Sequence, residues 1–328
     1  MSRIILHIGT PKTGTTAIQS AIAAHESWLD GQNICFVKAG RHRASHNDLA
    51  NAIRRGGTDH KFRQALETEI AAETAKDPNR ELLFSSEIFA LLDPAKFKEA
   101  MCGLEGHALT IVVYLRRQDQ YAEAFYKQRV KNGRNLVPFG AFLQSRVGRR
   151  ITNYVRLLDK WQAAYPDARL LPRVYDRKRL VSQDIVADFA TVLGVDAAEI
   201  AVANSERNLS PSKDFIDIVL ALAPHFEGAE IRQIFRSVKA RNLPGFGRSD
   251  DLFTAAERLA YFESFAAHNE ALRQAYFSDA EAVFSPPGAP ASLPGADAAN
   301  AGLTQEQQGI LDAVLEEAMR LRSGQDLS

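Results

Sequence analysis

Apolar positions in this chain follow two rhythms. Short unbroken runs recur at Ile4-Ile5-Leu6-His7-Ile8, Asn33-Ile34-Cys35-Phe36-Val37, Glu81-Leu82-Leu83-Phe84, Thr110-Ile111-Val112-Val113-Tyr114-Leu115 and Arg169-Leu170-Leu171-Pro172-Arg173-Val174. Runs of this length, rich in β-branched residues and bounded by glycine or polar residues, predict strands buried on both faces. Between them, apolar residues return at helical spacing over 17–29, 61–76, 119–132, 153–165 and 184–193, with Gly133 and Gly194 at natural helix stops. After the last run the same spacing predicts helices over 215–222, 230–239, 255–276 as one long element, and 304–321. Strands alternating with helices predict an α/β fold, a mainly parallel sheet flanked by helices. Ser285 to Asn300 is rich in Pro, Gly and Ala and reads as a linker. The expected organisation is an α/β domain over 1–285, a linker over 286–302, and a C-terminal helix and tail over 303–328. The apolar side of that last helix is available to pack on the core or on a partner chain.

The first run leads into Gly9-Thr10-Pro11-Lys12-Thr13-Gly14-Thr15-Thr16, and then into a helix. Strand, Gly-rich loop and helix start bring backbone N–H groups and the positive helix end onto an anion. Gly9 and Gly14 have the G-x-x-x-x-G spacing of a phosphate loop, but the lysine that the NTPase pattern requires next is replaced by Thr15. The lysine stands inside the loop, at Lys12, nearer the first phosphate and whatever is bonded to it. The hydroxyls of Thr15 and Thr16 can bond phosphate oxygens without a metal.

Two other strand ends carry chemistry. Ser85, Ser86 and Glu87 lie at the carboxyl end of the third run, where open α/β sheets bind ligands, so Glu87 is a candidate general base as well as a candidate capping or surface residue. Arg116 and Arg117 close the fourth run, a pair of guanidiniums suited to phosphate or to a solvated helix start. His42 and His46 are four apart, but no carboxylate or cysteine constellation joins them, so no metal site is expected. His46 is either a substrate-pocket residue or a plain helix-start histidine. Lys127, Arg129, Lys131, Arg134, Arg146, Arg149 and Arg150 crowd one stretch and suit an anionic acceptor or a solvated face.

Composition narrows the choice. The 328 residues carry 40 basic and 40 acidic side chains, so no broad nucleic-acid surface is implied. Two cysteines, Cys35 and Cys102, form no metal spacing and no disulfide framework, which fits a reducing compartment. No apolar run approaches the roughly 18 residues of a membrane span. The sequence goes straight into its first strand, so no signal peptide is expected.

Thr10-Pro11-Lys12-Thr13-Gly14-Thr15-Thr16 closely resembles the 5′-phosphosulfate loop of sulfotransferases that use PAPS, 3′-phosphoadenosine 5′-phosphosulfate. Arg116 resembles the family's 3′-phosphate arginine, although the family's serine eight residues later is Ala124 here. The strand ending in Tyr175-Asp176-Arg177 and the helix closed by Leu193-Gly194 are similar as well, and the resemblance spans residues 4 to about 277. It implies the phosphate-loop sulfotransferase fold, PAPS as co-substrate without a metal, and sulfuryl transfer to a hydroxyl, leaving adenosine 3′,5′-bisphosphate (PAP). By the same resemblance Pro11, Lys12, Thr13, Gly14, Thr15, Thr16, Arg116 and Arg117 hold the co-substrate. Lys12 stabilises the leaving phosphate, Glu87 is the base and His46 the runner-up. The family's adenine-stacking aromatic is replaced by Ala17, so that contact comes from elsewhere. A glutamate base and the basic stretch fit the glycan-directed branch, with an oligosaccharide or lipo-oligosaccharide acceptor. Golgi members carry a membrane anchor, and its absence here points to a bacterial-type cytoplasmic enzyme, with a homo-oligomer through the last helix as an open expectation. Two other readings remain: a small-molecule phosphate-loop kinase, and a non-catalytic nucleotide-binding scaffold with Ala124 as a sign of decay.

Overall fold

The computed structural model describes residues 2–101, 106–201, 210–246, 252–288 and 303–323. Most of the predicted linker over 286–302 lies outside them, as does Cys102. In chain order the elements are β1 Arg3–His7, α1 Thr15–Ala24, α2 Glu26–Gly31, β2 Ile34–Phe36, α3 Asn47–Arg55, α4 His60–Lys76, β3 Glu81–Ser85, α5 Pro94–Ala100, β4 Ala108–Leu115 and α6 Gln118–Lys131. There follow α7 Phe139–Gln144, α8 Arg146–Ile151, α9 Tyr154–Ala164, β5 Arg169–Val174, α10 Ile185–Leu193, α11 Lys213–Leu222, α12 Gly228–Ala240, α13 Ala255–Glu263, α14 Ala266–Tyr276 and α15 Gln305–Arg322. They fall into two compact units. One takes residues 1–117, 153–205 and 267–284; the other takes 118–152, 206–266 and 285–328.

The first unit is the α/β unit. Among the described residues its sheet has five strands, in the order β2-β3-β1-β4-β5, all parallel. The apolar runs fill it because a parallel strand covered on both faces has no polar side to show. Ile5 pairs with Leu83 and Thr110, and Ile5, Leu83, Val112 and Tyr114 pack with Ile18, Ile22, Ile185 and Phe189 of α1 and α10. Alternate residues Ile4, Leu6, Phe84, Ile111 and Val113 are equally buried and project to the other face. The order reverses about β1: the connection leaving β1 runs to the β2 and β3 side, whereas that leaving β4 runs to β5. The topological switch point therefore lies at the carboxyl ends of β1 and β4, the place where doubly wound sheets bind ligands.

The second unit is helical. Arg258 of α13 donates to Asp119 and Glu123 of α6 at 2.7 Å each, and Lys127 pairs with Glu123 at 2.8 Å. Lys127, grouped in sequence with a basic stretch, is therefore buried in an internal ion network. The apolar side of α15, Ile310, Val314 and Ala318, is buried, and the helix packs on α11 and α12 of its own chain.

Two helical boundaries differ from the sequence expectation. The predicted 17–29 helix breaks at His25, whose Nδ1 lies 2.9 Å from the Ala21 carbonyl. The predicted long helix over 255–276 breaks after Glu263, where the Ser264 hydroxyl donates to the Tyr261 carbonyl at 2.6 Å. A serine that bonds back to the preceding turn offers the backbone an alternative to continuing the helix.

Candidate active site

The loop between β1 and α1 is built from its own hydroxyls. Thr10 donates to the Tyr114 carbonyl of β4 at 2.7 Å, and Thr13 donates to the Thr10 carbonyl at 2.6 Å. Both are buried, so these threonines shape the loop and leave the exposed Lys12 and Thr16 to face outward. Gly14 caps α1 in the left-handed conformation, φ 76°, ψ 11°, with no side-chain cap. A side chain there would meet Ile185 Cγ1 at 3.0 Å and Tyr175 Cε2 at 3.1 Å. The first turn of α1 thus begins beside the bare backbone of Gly14 with no side-chain cap, a geometry able to receive an oxyanion.

Lys12 also adopts a left-handed backbone, φ 69°. Its carbonyl accepts a hydrogen bond from Arg116 Nη1 at 3.2 Å, which ties the end of β4 to the loop. The Arg116 carbonyl in turn accepts from the Tyr154 hydroxyl at 2.5 Å, and the Arg116 guanidinium lies 5.8 Å from the Tyr175 ring centroid. Arg117 follows, half-buried, at the same strand end. Lys12 and Arg116, 104 positions apart in the chain, are thus joined at the carboxyl end of the central strands.

Glu87 reaches the loop from β3. The Thr15 hydroxyl donates to Glu87 Oε2 at 2.6 Å. Gly9, φ 45°, permits this approach: a Cβ there would stand 2.9 Å from Thr15 Cγ2 and 3.1 Å from Glu87 Cα. The neighbouring Ser86 hydroxyl donates to Asn47 Oδ1 at 2.6 Å.

His46 occupies a different environment. It is fully buried, its Nδ1 accepts from the Ser85 amide at 3.2 Å, and its Nε2–H donates to the Val37 carbonyl at 3.0 Å. Both ring nitrogens are thereby engaged with backbone. Burial holds the imidazole neutral, pushing its pKa down to about 3. The geometry makes His46 a pin between the ends of β2 and β3.

His7, inside β1, is likewise fully buried with its pKa pushed down to about 3 by burial, and its Nδ1 lies 2.8 Å from Ser85 Oγ. Tyr114, whose carbonyl holds Thr10, donates its hydroxyl to Asp188 at 2.7 Å; Arg173 Nη2 donates to the same carboxylate at 2.8 Å and keeps it below the usual carboxylate range. Among the described residues no group of three or more His, Cys, Asp or Glu side chains could hold a metal ion, and no helix is long and apolar enough to cross a membrane.

The structure thus brings Pro11 to Thr16, Glu87, Arg116 and Arg117 to the carboxyl end of the central strands, and leaves His46 beneath it. The sequence marked Tyr175 only as part of the Tyr175-Asp176-Arg177 strand end and gave it no role; in the structure it packs between Gly14 and Arg116. The Thr15–Glu87 bond spans 72 positions and has no local signature.

No family model matches the chain. A curated protein of Archaeoglobus fulgidus, described only as uncharacterized, is 29% identical over 202 residues, 60% of this chain and 54% of that protein. The match spans about half the length of that relative. Among solved structures, a sulfotransferase from Alicyclobacillus acidocaldarius is similar at a TM-score of 0.36 and 14% identity, over 69% of this chain and 93% of that one. A likeness of that degree assigns no chemistry.

Proposed function

We propose that this chain transfers a sulfuryl group from PAPS to an acceptor hydroxyl. The observation that carries the reading is the joining of the Pro11-Lys12-Thr13-Gly14-Thr15-Thr16 loop to Arg116 through the Lys12 carbonyl. One anion-binding loop and one guanidinium at the same end of the strands fit a nucleotide carrying phosphates at both its 5′ and 3′ ends. The loop amides, Lys12 and Thr16 would hold the 5′-phosphate, and Arg116 with Arg117 the 3′-phosphate. PAPS supplies the activated sulfuryl group. Negative charge then grows on the departing 5′-phosphate, and Lys12 belongs where that charge develops.

Glu87 is the base in this reading, since it lies at the loop while both nitrogens of His46 are bonded to backbone. The acceptor is proposed as a glycan-like hydroxyl compound. A phosphate-loop kinase would require a lysine where Thr15 stands, and that hydroxyl is engaged with Glu87.

The test is calorimetric titration with PAP, adenosine 5′-monophosphate and Mg-ATP. PAP is expected to bind without metal and at least tenfold more tightly than the monophosphate. Arg116→Ala should weaken PAP by about tenfold or more, and far more than the monophosphate, since only PAP carries the 3′-phosphate. A preference for Mg-ATP would favour the kinase; PAP binding with no transfer to any acceptor from PAPS would favour a scaffold.

A further inference from the structure

The Thr15 hydroxyl has a single proton and two claimants. In the structure it donates to Glu87 Oε2 at 2.6 Å, a charge-assisted bond. Thr15 is also the first residue of α1, at the helix start that an oxyanion held in the loop would meet. The pairing with Glu87 is built in: the left-handed Gly9 leaves room for the Thr15 methyl and the Glu87 backbone to approach each other, and Thr15 itself is buried. Thr15 can serve the carboxylate or the anion, but one proton cannot serve both.

We propose that Thr15 is the positioning residue of Glu87, and that an oxyanion entering the loop takes over its hydroxyl proton and so releases the carboxylate. While the loop holds no anion, one oxygen of Glu87 is tied down against the loop. When the anion arrives, Glu87 loses its donor and meets a like charge, and both effects turn it away from the loop toward an acceptor. Base and co-substrate are thereby coupled: the carboxylate is set free only when there is a group to transfer. This inference rests on the loop being the anion site of the proposed reaction.

The test is a double-mutant cycle on anion affinity, with PAP and pyrophosphate as separate calorimetric probes. Glu87→Gln removes the competing charge and is expected to tighten binding by about three- to tenfold. Thr15→Val should cost less than about threefold in the wild-type background, because the bond made to the anion replaces one given up at Glu87. In the Glu87→Gln background the same change should cost about tenfold or more. Thr15→Ser keeps the hydroxyl and should behave as wild type. An equal cost of Thr15→Val in both backgrounds overturns the proposal. If circular dichroism shows Thr15→Val unfolded, Glu87→Gln alone decides, and unchanged or weaker anion affinity overturns it. Coupling seen with pyrophosphate but no binding of PAP would keep the exchange and discard PAPS as co-substrate. Additive effects with PAP would discard the exchange and keep PAPS. Binding of neither probe overturns both.

Discussion

Lys12 is held with φ 69°, a region that costs a non-glycine residue on the order of 1 kcal/mol. The surrounding bonds keep it there: Thr13 to Thr10 on one side, Arg116 to the Lys12 carbonyl on the other. In the proposed reaction Lys12, at this strained position, serves by its charge and not by its backbone. Lys12→Ala should therefore lower turnover from PAPS by about a hundredfold or more, as loss of a preorganised charge donor does. PAP affinity should fall much less, because the charge that Lys12 meets grows only as the sulfuryl group leaves. Single-turnover rates compared with PAP affinities check this. An equal loss in both would make Lys12 a ground-state ligand only.

At the scale of elements, the site depends on how β1 hands over to α1. Gly14 lets the helix begin at once, with its first amides uncovered, and sits against Ile185 of α10 and Tyr175 after β5. Gly14→Ala adds a left-handed penalty of about 1–2 kcal/mol and a Cβ that presses on Ile185 and Tyr175. Urea denaturation should show a loss of roughly 1–3 kcal/mol, and PAP binding should weaken by about tenfold or more. Unchanged affinity at reduced stability would mean that the helix start is not the anion site. The strand–loop–helix order was readable in sequence because burial on both faces leaves unbroken apolar runs and because glycine marks the turn. The parallel sheet followed from the alternation of runs and helices. What stayed unreadable was set by contacts between distant residues. Nothing local distinguishes a histidine whose two nitrogens are bonded to Val37 and Ser85 from one lining a pocket. Thr15 and Glu87 meet only because β1 and β3 are neighbours. The short helices over 139–144 and 146–151 hide in a basic stretch, and the break after Glu263 is marked only by Ser264, whose hydroxyl bonds back to Tyr261.

For the molecule as a whole, the two fully buried histidines make a defined contribution to how stability responds to pH, and burial lowers His107 in the same direction. His7 and His46 both lie in the α/β unit, both fully buried, with pKa values pushed from 6.5 down to about 3 by burial. Their folded forms are neutral, whereas in the unfolded chain each takes up a proton as pH falls through 6.5. The unfolded state therefore binds more protons between about pH 6.5 and 3, and stability must rise with pH across that window. The contribution is fully present above 6.5 and is lost progressively below it. From pH 7 to 5.5 the pair should remove about 2.5 kcal/mol, following from about 1.4 kcal/mol per pKa unit per group. Carboxylates held low by partners, such as Asp188 beside Arg173, act only nearer their own ordinary range, further down the scale. Both tryptophans of the chain, Trp28 and Trp161, belong to the same unit, so their fluorescence follows its unfolding. Denaturation read this way at pH 7 and 5.5 should show a loss for His46→Asn that is smaller than the wild type's by half of the pair's share, about 1.2 kcal/mol, whatever that variant's absolute stability. An equal pH dependence in both proteins would mean that His46 takes up its proton in the folded state. It would then no longer be the neutral pin between β2 and β3, and it would regain a claim to the proton that the proposed reaction must remove.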